Sequence, residues 1–119
     1  MISHREAFEA EYNVYLCALR QLSASPKEQC ELGSNYNVAW ELKDEISRGP
    51  DLLENPTSTI AKDAINAVRA LASSIESVPS SVLVAAEGFD SNIIAMNHPC
   101  WVPLRKAANE LLTILASDA

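Results

Sequence analysis

Glycine is scarce in this chain, with three in 119 residues. All-β domains turn often and use glycine to do it, so so few glycines argue for helices. Aromatic residues, at 6%, are also few, which removes much of the usual raw material of strands. Long apolar runs are missing too. None approaches the roughly 18 residues that a membrane-spanning helix requires, so no membrane segment is expected. The three cysteines, Cys17, Cys30 and Cys100, are odd in number and far apart, which excludes a disulfide framework. The first 21 residues carry Glu6, Glu9 and Glu11 where a signal peptide would need its apolar stretch. These absences together predict a reducing, cytoplasmic setting.

Basic charge is the next shortage. Nine lysines and arginines face 16 aspartates and glutamates, for a formal net charge of −7. An acidic surface repels phosphate, so direct nucleic-acid binding is not expected. Such a surface can serve solubility, or it can steer the protein towards a basic partner. Catalytic signatures are absent as well: there is no P-loop, no G-x-G-x-x-G and no G-x-S-x-G. Neither histidine follows a glutamate by three positions, as di-iron bundles require. The cysteines and histidines form no C-x-x-C or H-x-x-x-H pair. No metal and no cofactor is therefore expected.

What the chain does contain is helical periodicity. Hydrophobic residues make up 48% and charged residues 21%, an ordinary globular balance, and the length fits one domain spanning residues 1–119. Ser3 and Glu6 have capping-box spacing, and Phe8, Tyr12, Tyr15, Leu19 and Leu22 then recur by fours and threes, predicting a helix over 4–23. Ser25-Pro26 and Glu28 open a second helix. Leu32, Tyr36, Ala39, Trp40, Lys43 and Ile46 mark one side of it, and Leu42 widens that side. Gly33 leaves open whether this helix is continuous or broken near Gly33-Ser34-Asn35. Arg48-Gly49-Pro50 reads as a stop with Gly49 as a left-handed cap, followed by a linker over 49–57. Ile60, Ala64, Ala67, Val68, Leu71, Ile75 and Val78 give a third helix ending by Ser77. Residues 80–97 read as irregular or short-helical, with Asp90-Ser91-Asn92 placed to cap a short helix. A last helix starts near Pro99 or Pro103, with Trp101, Leu104, Ala108, Leu111 and Leu115 on its core face. The expected fold is all-α, an antiparallel bundle of four-helix type.

Two sets of residues could carry function. The first is Tyr36 with Glu41, Asp44 and Glu45, which joins an aromatic anchor to an acidic helix face and reads as a partner-binding patch. The competing reading is a solvated charge run beside core aromatics. The second is Asn97-His98-Pro99-Cys100-Trp101. It sets an imidazole and a thiol at a helix start, where a cysteine can become reactive. The competing reading makes His98 a cap, Cys100 a small apolar filler like Cys17 and Cys30, and Trp101 a core anchor.

Three functions follow. The leading one is a non-catalytic protein that binds, and blocks or regulates, a protein partner with a basic surface. Immunity proteins, antitoxins and phage-encoded inhibitors are comparable bacterial or phage examples by size and charge alone. The second is a small enzyme or ligand-binding bundle using His98, Cys100 and Trp101. The third is a structural subunit that self-associates as a homo-oligomer through its aromatic face.

Overall fold

The structure, a computed structural model, describes residues 3–32, 37–84 and 89–117. These residues form helices and no strand, so the class is all-α. Helix α1 (His4–Ser23) opens as its capping box predicts: the Ser3 hydroxyl accepts from the Glu6 N–H at 3.1 Å and donates to the Glu6 carboxylate at 3.2 Å. Phe8, Tyr15, Leu19 and Leu22 are buried along one stripe, and Tyr12 stacks on Phe8 at 5.4 Å between ring centres. Helix α2 (Pro26–Leu32) starts on the Ser25 capping box.

The expected second helix is not one continuous helix, because Asn37 is extended backbone; Gly33-Ser34-Asn35, where the sequence allows a break, lie outside the described residues. Helix α2 ends at Leu32, and α3 (Val38–Ser47) begins on a new cap, where the Asn37 side chain accepts from the Trp40 N–H at 3.1 Å. The break changes which residues face inward. Val38, Ala39, Leu42 and Ile46 are buried, whereas Leu32 is 70% and Trp40 50% exposed, against the expectation of one apolar side containing both. Tyr36 lies outside the described residues.

Gly49 corrects a second expectation. Instead of a left-handed stop followed by a linker, α4 (Gly49–Glu54) follows α3 at once, with Pro50 in its first turn. The reason for glycine is space. A β-carbon there would lie 2.8 Å from Tyr15 Cε1 and 2.9 Å from Val68 Cγ1, so only a residue without a side chain lets the chain pass between α1 and α5. Asn55 ends α4; its side chain accepts from Thr57 and donates to the His4 carbonyl at 2.9 Å.

Helix α5 (Lys62–Ile75) buries Ala64, Val68, Leu71, Ala72 and Ile75, with Lys62, Asp63, Asn66, Arg69 and Ser73 exposed, as its periodicity predicts. The segment expected to be irregular or short-helical holds α6 (Ser80–Leu83) and α7 (Phe89–Met96). Helix α8 (Trp101–Ser117) carries Pro103 in its first turn, the one place where proline does not break the ladder, and buries Trp101, Leu104, Ala108, Leu111 and Leu115. The four longest helices meet in a closed cycle, α1 on α8, α8 on α5, α5 on α3 and α3 on α1, around one shared apolar core.

The shorter helices are tied on by polar side chains that reach orphan backbone groups at helix ends. Fully buried Gln29 donates to the Leu22 carbonyl at 2.8 Å, at the end of α1, while Gln21 donates to the Gln29 carbonyl at 2.9 Å. Asn37 Nδ2 donates to the Leu83 carbonyl at the end of α6. Asn92 was expected to help cap its own helix. It is instead fully buried and accepts the Val38 N–H at 3.0 Å, capping α3 from 54 residues away.

Candidate acidic groove between α1 and α3

Helix α1 carries a second stripe beside its core stripe. Glu11, Val14, Ala18 and Gln21 step by three, four and three, and this edge faces α3 across a groove. Glu41 and Glu45 on α3 and Arg48, its C-terminal cap, follow at i, i+4 and i+7 and form the opposite wall. The groove has two connected parts that share Val14 and Glu45. One, about 280 Å³, is lined by Val14, Cys17, Ala18, Leu32, Leu42 and Glu41 among others. The other, about 360 Å³, is lined by Glu11, Val14, Tyr15, Glu45, Asp51 and Leu52 together with Ala10 and Arg48.

The electrostatics are one-sided. Four carboxylates, Glu11, Glu41, Glu45 and Asp51, line the two parts, and Arg48 is the one cation among the described lining residues. Arg48 pairs with Asp44 at 3.1 Å, one turn back on α3. Half-exposed Val14 and largely exposed Leu32 supply apolar contact surface in the same groove. Burial pushes the Tyr15 phenol far above its ordinary value near 10, with neighbouring Tyr12 adding to the effect. The Tyr15 hydroxyl has no hydrogen-bond partner among the described residues.

The sequence-derived patch is thus partly assembled. Glu41 and Glu45 share the groove; Asp44 turns away from it and holds Arg48. Trp40 stands exposed on the outer side of α3. Sequence reasoning missed Val14, Arg48, Asp51 and the groove-facing use of Glu11. The three-four-three spacing from Glu11 to Gln21 was the available signal, masked by the stronger stripe from Phe8 to Leu22.

The second set, His98, Cys100 and Trp101, is close together but engaged in joining α7 to α8. His98 Nδ1 accepts the Cys100 N–H at 3.0 Å, and the indole of fully buried Trp101 donates to the Ala95 carbonyl at 3.0 Å. Arg105 donates to the Met96 carbonyl, and Asn97 returns to the Ile93 carbonyl at 2.8 Å. The bonds to Ile93, Ala95 and Met96 all fall on the last carbonyls of α7, of which those of Ile93 and Ala95 also accept the backbone N–H groups of Asn97 and His98. Burial raises the Cys100 thiol above its usual range, outweighing the opposing effects of Arg105 and a backbone hydrogen bond, which is the wrong direction for an activated nucleophile. Cys30 is buried as expected; Cys17 is exposed at the groove, against its reading as a buried filler. Among the described residues, no three histidine, cysteine or acidic side chains are grouped as metal donors, and no helix is long and apolar enough to cross a membrane.

Comparison of the chain with protein-family models, with curated proteins and with solved structures gave no match.

Proposed function

We propose that this protein is a non-catalytic binding module whose α1–α3 groove seats a basic, amphipathic segment of a protein partner, and so blocks or regulates that partner. One observation carries the reading: the groove combines exposed apolar surface from Val14 and Leu32, beside buried Leu42 and Leu52, with four carboxylates and, among the described lining residues, a single, already paired arginine. Carboxylates around such a groove speed encounter with a basic surface, while apolar anchors slow dissociation. The partner-contacting residues are Glu41 and Glu45, joined by Glu11, Val14 and Asp51. Asp44 acts by holding Arg48, and Tyr36 completes the proposed partner-binding set. In this reading the chain works as a single cytoplasmic domain with no cofactor, in the manner of an immunity protein, antitoxin or phage-encoded inhibitor.

The test uses a defined probe. A synthetic amphipathic helix with a leucine stripe flanked by arginines is titrated into the isotope-labelled chain, with a glutamate-flanked helix as its counterpart. The expected result is saturable amide shifts along Val14, Cys17, Glu41, Leu42 and Glu45, weakened at least tenfold by E41K/E45K and by added salt. Equal binding of the acidic helix, or unchanged binding by the double variant, overturns the reading. Shifts centred on Trp40 and growing with protein concentration alone would point to self-association instead.

A further inference from the structure

Of the three helices that line the apolar part of the groove, α2 is the least anchored. It supplies Leu32, 70% exposed, to a wall otherwise built from α1 and α3. Its buried residues are Gln29 and Cys30, so a single buried apolar side chain fixes it in the core. By contrast, α1 buries Phe8, Tyr15, Ala18, Leu19 and Leu22, and α3 buries Val38, Ala39, Leu42 and Ile46. Helix α2 packs chiefly on α7 and on α1. Two bonds tie it to α1: Gln29 donates to the Leu22 carbonyl at 2.8 Å, and Gln21 donates to the Gln29 carbonyl at 2.9 Å. The remaining polar atom of the Gln29 side chain, Oε1, is buried with no hydrogen-bond partner among the described residues. Docking α2 strands this acceptor away from water and opening returns it, which offsets part of what Cys30 and the two bonds contribute. A helix of seven residues also has little stability of its own. Few buried apolar contacts are the mark of a segment that opens without global unfolding. Ala24, in extended backbone between α1 and α2, is the joint.

We propose that α2 is a movable wall of the groove: it swings away from α1 and α7 while the cycle of long helices stays folded, and a bound partner segment holds it shut. The second half rests on the groove being the partner site. A segment seated against Leu32 meets that side chain in place only when α2 is docked, so it binds the closed form better and shifts the population towards it. Gln21 carries the link, since it lines the groove and also bonds α2.

The experiment alkylates the full-length chain with iodoacetamide under native conditions and reads each cysteine by peptide mass spectrometry. Exposed Cys17 reports access to the groove, and buried Cys30 reports the opening of α2. Alkylation is slow relative to reclosing, so the Cys30 rate follows the equilibrium population of the open form. The comparison is with L111A, which weakens the cycle at a buried position of α8, outside the main contacts of α2. Local opening keeps the Cys30 rate within about threefold of wild type, whereas opening only by global unfolding raises it about thirtyfold or more and overturns the movable wall. If L111A does not fold, wild-type labelling in urea well below the midpoint makes the same distinction. A local opening exposes little surface and is nearly indifferent to urea, so a steep rise overturns the proposal. The arginine-flanked helix supplies the second arm. At saturation it is expected to shield Cys17 and to slow Cys30 by about fivefold or more. Shielding of Cys17 with the Cys30 rate unchanged overturns the holding of α2 and leaves the groove reading intact. Cys30 labelling that ignores L111A, with neither thiol shielded by the helix, keeps the movable wall and removes the partner reading.

Discussion

Two regions of this molecule are held by different physics. The cycle of α1, α8, α5 and α3 is held by apolar stripes such as Leu19, Leu22, Val68, Trp101 and Leu111, all buried in one core. The corner where α2, α6 and α7 meet the end of α1 and the start of α3 buries Cys30, Val82, Ala95 and Met96 in that core and adds directed bonds from Gln29, Asn37 and Asn92, each to a backbone group of another segment. Apolar stripes act by area and tolerate approximate geometry. The corner acts also through single directed bonds, each of which leaves an unsatisfied group if it is lost. The cycle should therefore fail in proportion to the volume removed, and the corner in proportion to the acceptors removed.

The largest effect is expected in the cycle. Leu19 is fully buried between α1 and its neighbours, so Leu19→Ala should destabilise the fold by about 2–5 kcal/mol, read from urea midpoints at unchanged slope. A loss of less than about 1 kcal/mol would mean that the cycle collapses around cavities and does not carry the fold.

The second prediction concerns a buried polar atom of the cycle that has no hydrogen-bond partner among the described residues, the Tyr15 hydroxyl. Tyr15 is buried with its folded-state pKa raised above the ordinary value near 10. Above pH 10 the unfolded chain releases this proton and the folded chain keeps it, so the unfolded state is favoured as pH rises. Stability is fully present below pH 10 and should fall by up to about 1.4 kcal/mol per pH unit above it. Tyr15→Phe should flatten that fall and leave stability at pH 7 unchanged or slightly higher, because the hydroxyl it removes has no partner among the described residues. Parallel wild-type and variant curves between pH 10 and 11.5 would show that Tyr15 ionises as freely folded as unfolded.

The corner comes next. Asn92→Ala strands the Val38 N–H at the first turn of α3, which should cost about 1–3 kcal/mol. The more specific readout is local: hydrogen exchange at Val38 should accelerate more than at amides in the middle of α8. Uniform acceleration would make Asn92 an ordinary core residue and erase the distinction between the two regions.

This contrast also explains what the sequence could convey. The core faces of α1, α5 and α8 were legible because hydrophobic periodicity is a local signal, repeated five or more times within each helix. The His98–Trp101 stretch was legible in both of its readings, and the hydrogen bonds at the end of α7 favour the capping one. Asn92 was not, since nothing in Asp90-Ser91-Asn92 reveals an acceptor aimed at residue 38. Gly49 misled for a similar reason: Arg48-Gly49-Pro50 has the local form of a helix stop, but the need for glycine arises from Tyr15 and Val68, remote in sequence. Of the site, Glu41 and Glu45 were recognised as an acidic face, while the opposite wall is on a helix whose stronger stripe concealed it.

The smallest effect is expected where neither kind of physics applies. Trp40 was grouped with the core side of its helix on periodicity, yet the break before Val38 resets the phase of α3 and leaves its indole half exposed. Its backbone N–H is engaged by Asn37, but its side chain adds little to either the cycle or the corner. Trp40→Ala should therefore change stability by less than about 1 kcal/mol, far below the 3–5 kcal/mol typical of a buried tryptophan. A large loss would mean that α3 is packed in the phase the uninterrupted sequence pattern implied, with Trp40 inward. In that phase Glu41 and Glu45 would no longer flank the groove, so this mild substitution tests the site as much as the fold.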